Sequence, residues 1–151
     1  MRFKTVLLDI ETTGLNFRHD MITTINIVVE NKFLFLTNSF DREYDFTDGI
    51  EKTINSKNEK EMIETFLNLF KEIVPIFVTF NGLKFDIPFL QEKINKYNLN
   101  YNLYNCFVID LHPISLFCNN FYFKGTSLIN TCMHAGLKTK EDKGGFAPEL
   151  Y

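Results

Sequence analysis

The stretch Val6-Leu7-Leu8-Asp9-Ile10-Glu11-Thr12-Thr13-Gly14-Leu15 constrains the fold more than any other. An apolar run with the character of a buried strand ends in two carboxylates, two hydroxyls and a glycine. Side chains alternate along a strand, so Asp9 and Glu11 project to one face, about 7 Å apart along the backbone. At an effective dielectric of about 20, two like charges about 5 Å apart repel by roughly 3 kcal/mol. A hard divalent cation offsets such repulsion, because carboxylates suit magnesium, calcium or manganese. A strand that simply runs out into solvent places the same residues there. The stretch alone leaves both readings open.

A chain of 151 residues is long enough for one domain with a real core. Apolar residues at 45% and charged ones at 23% suit a soluble globular protein and argue against disorder. The net charge of −3 gives no general basic footprint, which counts against a module that passively coats nucleic acid. It does not count against an enzyme whose cations screen phosphates at one place. Cys106, Cys118 and Cys132 are odd in number and lack C-x-x-C spacing, so buried reduced thiols are expected rather than zinc or disulfides. The apolar run at the N-terminus is broken by Asp9, so neither a signal peptide nor a membrane span is expected, and a cytoplasmic location follows.

Taken in order, residues 3–10 read as a central strand apolar on both faces. Residues 21–30 and 33–37 read as two further strands joined by a tight turn at Asn31-Lys32. Residues 38–55 read as loop with room for a short edge strand. Ser56 and Glu59 have capping-box spacing before a helix over 57–74, whose stripe of Met62, Phe66, Leu69, Phe70 and Ile73 is core. Pro75 ends that helix, and 76–80 is a fourth strand. Asp86 precedes Pro88 at the start of a further helix and could serve merely as its N-cap. Residues 106–111 form a fifth strand ending in Asp110, followed by a short helix after Pro113 and another over 127–135 closed by Gly136.

This order predicts an α/β domain built on a mixed five-stranded sheet, strands 1–3 antiparallel and the rest reached by parallel crossovers, flanked by helices. Sites in such sheets lie beyond the carboxyl ends of parallel strands. With strands one and four adjacent, Asp9, Glu11 and the Asn81–Asp86 loop converge at one edge. Three carboxylates there suit two-ion phosphoryl chemistry, in which ions about 3.5–4 Å apart activate water and stabilise the leaving oxygen.

Asp9-Ile10-Glu11-Thr12-Thr13-Gly14 resembles the first motif of the DEDD (DnaQ-like) 3′–5′ exonucleases of the ribonuclease H-like fold. Asn81-Gly82-Leu83-Lys84-Phe85-Asp86 resembles their second motif, N-x-x-x-F-D. The wording of Asn81 to Leu90, Asp110-Leu111-His112, Ser127-Leu128 and Gly144-Gly145 to Tyr151 is most similar to the YprB-type ribonuclease H-like group. The resemblance implies Asp9, Glu11 and Asp86 as catalytic ligands of Mg2+ or Mn2+. It also implies that Thr12, Thr13, Gly14 and Leu15 meet the 3′-terminal nucleotide, Leu15 packing on a base. Asn81 and Phe85 are implied as substrate-binding residues too, Asn81 touching the substrate strand. The implied substrate is the 3′ end of DNA or RNA.

The third motif of that superfamily, a Tyr or His followed four or five residues later by a fourth carboxylate, has no match after Asp110. His134 plus five is Thr139, while Glu141 and Asp142 fall in a loop-like tail. The domain expected over 1–151 therefore lacks its C-terminal helix. It is a piece of a longer enzyme, a site completed by a partner or second subunit, or a domain that has lost catalysis. On its own it is expected to hold one ion well and the second weakly.

Asp110 is a candidate for supporting the site, although capping the following turn explains it as well. His112 and His134 read as structural, and Lys138, Lys140 and Lys143 as a solvated basic tail able to meet a phosphate backbone. Tyr104, Phe121 and Tyr122 read as core rather than base-stacking residues. The rival to a metal-dependent 3′–5′ exonuclease is a non-catalytic module that binds nucleic acid or protein on the same fold.

Overall fold

In the computed structural model, residues 2–38, 51–119 and 126–137 are described. Within them the chain runs β1 (Arg2–Thr12), β2 (Ile22–Val29), β3 (Lys32–Thr37), β4 (Glu51–Asn55), α1 (Glu59–Asn68), β5 (Ile73–Thr79), α2 (Asp86–Lys96), β6 (Phe107–Asp110), α3 (Leu111–Cys118) and α4 (Leu128–His134). The strands form one sheet in the order β4-β3-β2-β1-β5-β6. β1, β2 and β3 are antiparallel neighbours, whereas β5 and β6 run parallel to β1. This is the mixed sheet of the ribonuclease H-like fold, with six strands among the described residues rather than five. The additional strand is β4, which pairs parallel to β3 inside the stretch expected to be mostly loop.

The meander is set by local chemistry. Glu30 and Asn31 both have positive φ (51° and 63°), as a two-residue hairpin loop requires to match strand twist. β1 alternates: Val6, Leu8 and Ile10 are buried, while Phe3 and Leu7 on the other face are exposed. It is central in the sheet yet covered on one face only among the described residues, contrary to the expectation of two apolar faces. The covered face meets Met62, Ile63 and Phe66 of α1 and Ile87, Phe89, Leu90 and Ile94 of α2. Phe77 from β5 completes this layer with Phe66 and Phe70 at ring distances of 6.2 and 5.5 Å. Each such fully buried side chain contributes about 1.5–3 kcal/mol.

Two helix boundaries differ from the pattern. α1 ends at Asn68, and Ile73 and Val74 belong to β5, so Pro75 sits within a strand instead of stopping a helix. Its missing N–H is tolerated because β6 pairs with β5 only from Ile76 onward. The cap of α1 is Asn58, which accepts from Glu61 N–H, while Glu61 reaches back to Lys57 N–H. Glu59 is instead buried, accepting hydrogen bonds from Ile22 N–H and the Tyr97 hydroxyl. α4 begins and ends as expected, with Ser127 as its N-cap and Gly136 at φ 72° beyond its end.

The three cysteines are free, but Cys118 is exposed and Cys106 and Cys132 are half-buried, so the expected burial of the thiols is not seen. No described helix is long and apolar enough to cross a membrane. Phe121, Tyr122, Lys138, Lys140, Glu141, Asp142, Lys143 and the Gly144–Tyr151 segment lie outside the described residues.

Candidate active site at the carboxyl ends of β1 and β5

β1 and β5 pair only as far as Leu7↔Val78, whereas β1 and β2 stay paired to the end of β1. Beyond Leu7 the β5 side of β1 therefore lacks a strand partner, and its backbone donors need other acceptors. The Asp86 carboxylate supplies one: its Oδ1 accepts from Ile10 N–H at 2.9 Å. Asp86 begins α2, but no side chain caps that helix. The carboxylate is directed across to the first motif, so the simple N-cap reading of Asp86 does not hold.

Asp9 and Glu11 flank Ile10. They oppose Asn26 and Thr24 of β2, and the register shift in this pairing comes only after Glu11. Both acids thus keep the same strand face. Asp9 Oδ2 accepts from the Asn26 amide at 3.2 Å. Burial raises the Asp9 carboxyl above the ordinary range, partly offset by that amide. Burial, then the Asp9 charge, raises Glu11 as well. Asp86 is pushed up to about 7 by burial and by Asp9, against the backbone donors that lower it, and Asp110 adds a smaller upward push. The three acids therefore share one electrostatic neighbourhood, with Asp9 coupled to both others.

Among the described residues, no three His, Cys, Asp or Glu side chains are grouped to hold a metal ion. Asp9 and Asp86 each face a protein donor of their own, the Asn26 amide and Ile10 N–H. In kind the donor set fits a hard divalent cation: oxygen ligands whose carboxyls are all raised, each favouring a proton or another positive charge. A cleft of about 400 Å³ opens on the exposed sheet face with Asp9, Asn26, Leu7, Val78, Phe80 and Leu111 in its wall.

The remaining motif residues are held by backbone geometry. The Thr12 hydroxyl donates to Gly14 C=O at 2.6 Å, and Leu15 is 80% exposed at the tip. Asn81 has φ 66°, and Gly82 packs so tightly that a Cβ there would lie 2.5 Å from that of Thr79. Asp110 holds this turn: its carboxylate accepts from Asn81 N–H (2.8 Å) and Leu83 N–H (3.0 Å), and also caps α3 through His112 N–H (3.0 Å). Phe85 points into packing, edge-on to Phe17 and Phe89. The His112 ring lies against Phe80, and His134 lines a groove between α3 and α4 whose wall includes none of the three acids. Tyr104 is 63% exposed, so its core reading fails.

Two further residues at the site, Asn26 and Asp20, are not among those expected from the sequence. Asn26 had a signal, a lone amide in an apolar strand, but its relation to Asp9 depends on register. Asp20 looked like ordinary loop.

The sequence model of the exonuclease domain of DNA polymerase family B matches residues 2–130. The chain belongs to this family. Within the DEDD superfamily, the family B exonuclease domain is thus the part that covers both acidic motifs, Asp110 and the start of α4. The chain is also 31% identical over 111 residues to the catalytic subunit of DNA polymerase epsilon from Arabidopsis thaliana. That match covers 62% of this chain and only 5% of the relative's length. Membership of the family B exonuclease group makes this an exonuclease-type nuclease domain.

Proposed function

We propose that the domain removes nucleotides from nucleic-acid 3′ ends by metal-dependent phosphodiester hydrolysis. The observation that carries the proposal is the Ile10–Asp86 hydrogen bond, which joins the two acidic motifs at the end of β1. Asp9, Glu11 and Asp86 would hold Mg2+ or Mn2+. The cations would supply Lewis-acid activation of the attacking water and stabilise the leaving oxygen. Thr12, Thr13, Gly14 and Leu15 receive the terminal nucleotide, with exposed Leu15 against its base. Asn81 meets the strand, and Asp110 fixes the backbone that presents Asn81. Phe85 acts by packing this second motif against the first loop. DNA is the preferred substrate on the strength of a relative named as part of a DNA polymerase. RNA remains within reach because such a site reads end and backbone.

The rival is a non-catalytic module that binds nucleic acid or a protein partner on the same fold. Digestion of a 5′-labelled single-stranded oligonucleotide separates the two. A manganese-dependent ladder shortening from the 3′ end, abolished by EDTA and by Asp9→Ala, supports the exonuclease. Binding without cleavage supports the rival.

A further inference from the structure

We propose that Asp20 is a positioning residue for recognition of the 3′-terminal nucleotide, an inference that rests on the exonuclease reading. Asp20 is half-buried and lies near the end of the loop between β1 and β2. Its Oδ2 accepts from Asn16 N–H at 2.7 Å, and its Oδ1 faces the Thr13 hydroxyl at 3.4 Å. That hydroxyl accepts in turn from Met21 N–H at 3.0 Å, while Thr13 N–H donates to Met21 C=O at 2.9 Å. Thr13 and Met21 thereby join the two ends of the loop, and the Asp20 carboxylate ties Asn16, in the loop's interior, to that junction.

The same carboxylate accounts for Gly14. A Cβ on Gly14 would stand 2.5 Å from Asp20 Oδ2 and 2.9 Å from Oδ1. Gly14 leaves the space that Asp20 occupies. The loop is also seated on the second motif: the Phe17 ring lies 5.3 Å from Phe89 and 6.0 Å from Phe85, the residue before Asp86. Clamped from one side and seated from the other, the loop holds Leu15 out in solvent at 80% exposure. An apolar side chain held out by a rigid loop is prepared for an incoming apolar face, such as a base. Ordering it beforehand removes part of the cost of binding. Loosening the clamp therefore weakens substrate binding more than chemistry.

Steady-state kinetics on a 5′-labelled oligonucleotide with manganese test this, using the full chain and the variants Asp20→Ala, Asp20→Asn, Gly14→Ala and the Gly14→Ala/Asp20→Ala double. Asp20→Ala should raise KM about tenfold with kcat changed by less than about twofold. Asp20→Asn, which keeps an acceptor for Asn16, should recover most of the KM. Gly14→Ala alone should raise KM as Asp20→Ala does, and the double variant should be no worse than Asp20→Ala, since the colliding atoms are gone. Exchange of the Asn16 amide, measured without nucleic acid, should quicken in Asp20→Ala. An Asp20→Ala enzyme with wild-type KM, or with kcat and KM damaged together, overturns the inference while leaving the exonuclease standing. A wild-type chain that neither cuts nor binds overturns both.

Discussion

The Asp86 carboxylate receives the backbone N–H of Ile10, the residue between Asp9 and Glu11, at 2.9 Å. Asp86 and Ile10 are 76 residues apart in sequence, yet this bond ties the second acidic motif to the first. It forms where β5 leaves β1, and it places the Asp86 carboxyl in the field of Asp9.

That placement has a pH signature. Asp86 is raised from an ordinary 3.8 to about 7, so the folded chain holds its proton more tightly than the unfolded chain. Its contribution to stability is fully present below the unfolded value and is lost as pH rises toward 7, a swing of about 4 kcal/mol. Asp86→Asn keeps an acceptor for Ile10 N–H and removes the titration. In EDTA, thermal or urea unfolding should show the variant gaining on wild type by about 3 kcal/mol between about pH 5 and pH 8. A difference that does not change with pH would show that Asp86 titrates in the ordinary range.

Asp110 accepts three backbone N–H groups, those of Asn81, Leu83 and His112. Hydrogen bonds to a charged group are worth about 1.5–3 kcal/mol each, and water recovers part of that at a half-buried turn. Asp110→Ala should cost about 3 kcal/mol in urea unfolding and speed amide exchange at Asn81 and Leu83. A loss below about 0.5 kcal/mol would mean that the Asn81 turn holds itself.

Glu59 ties β2 to α2 from inside the core. It accepts from Ile22 N–H at 2.7 Å and from the Tyr97 hydroxyl at 2.5 Å, and it is the main counter-charge for Lys93. The Lys93 ammonium is fully buried, has no hydrogen-bond partner among the described residues, and lies 5.2 Å over the Phe89 ring. Removing the acid leaves a buried cation, so Glu59→Ala should destabilise by about 3–5 kcal/mol. Adding Lys93→Met should return a large part of that loss. Strict additivity in the double-variant cycle would contradict the coupling.

Five of the six described strands, the two long helices and both acidic motifs were legible because each is local: apolar alternation, capping residues and carboxylates at strand ends; β4 was not, because its pairing with β3 comes from the fold. Where long-range pairing decides, the sequence misled. Ile73 and Val74 continue the helical stripe of α1, yet they pair with Arg2 and Phe3 of β1 as strand residues. Glu59 has the spacing of a capping residue and is drawn inward by Ile22 and Tyr97, leaving the cap to Asn58 and Glu61. Asp86 and Asp110 both precede or open helices, which makes the same local pattern. Only the fold shows that Asp110 does cap a helix while Asp86 reaches back to β1. Asp20 and Asn26 carry polar side chains of no distinctive spacing, and their relations to Gly14 and Asp9 arise from loop closure and strand register.

If the two motifs build a single cation centre, calorimetric titration with manganese reveals it most directly. Wild type should bind manganese, with one site tighter than the other. Asp9→Ala and Asp86→Ala, one from each motif, should each weaken the tight site by at least about tenfold while the domain stays folded. An Asp86→Ala protein that titrates like wild type would contradict the claim, because the second motif would then contribute nothing to the centre at the end of β1.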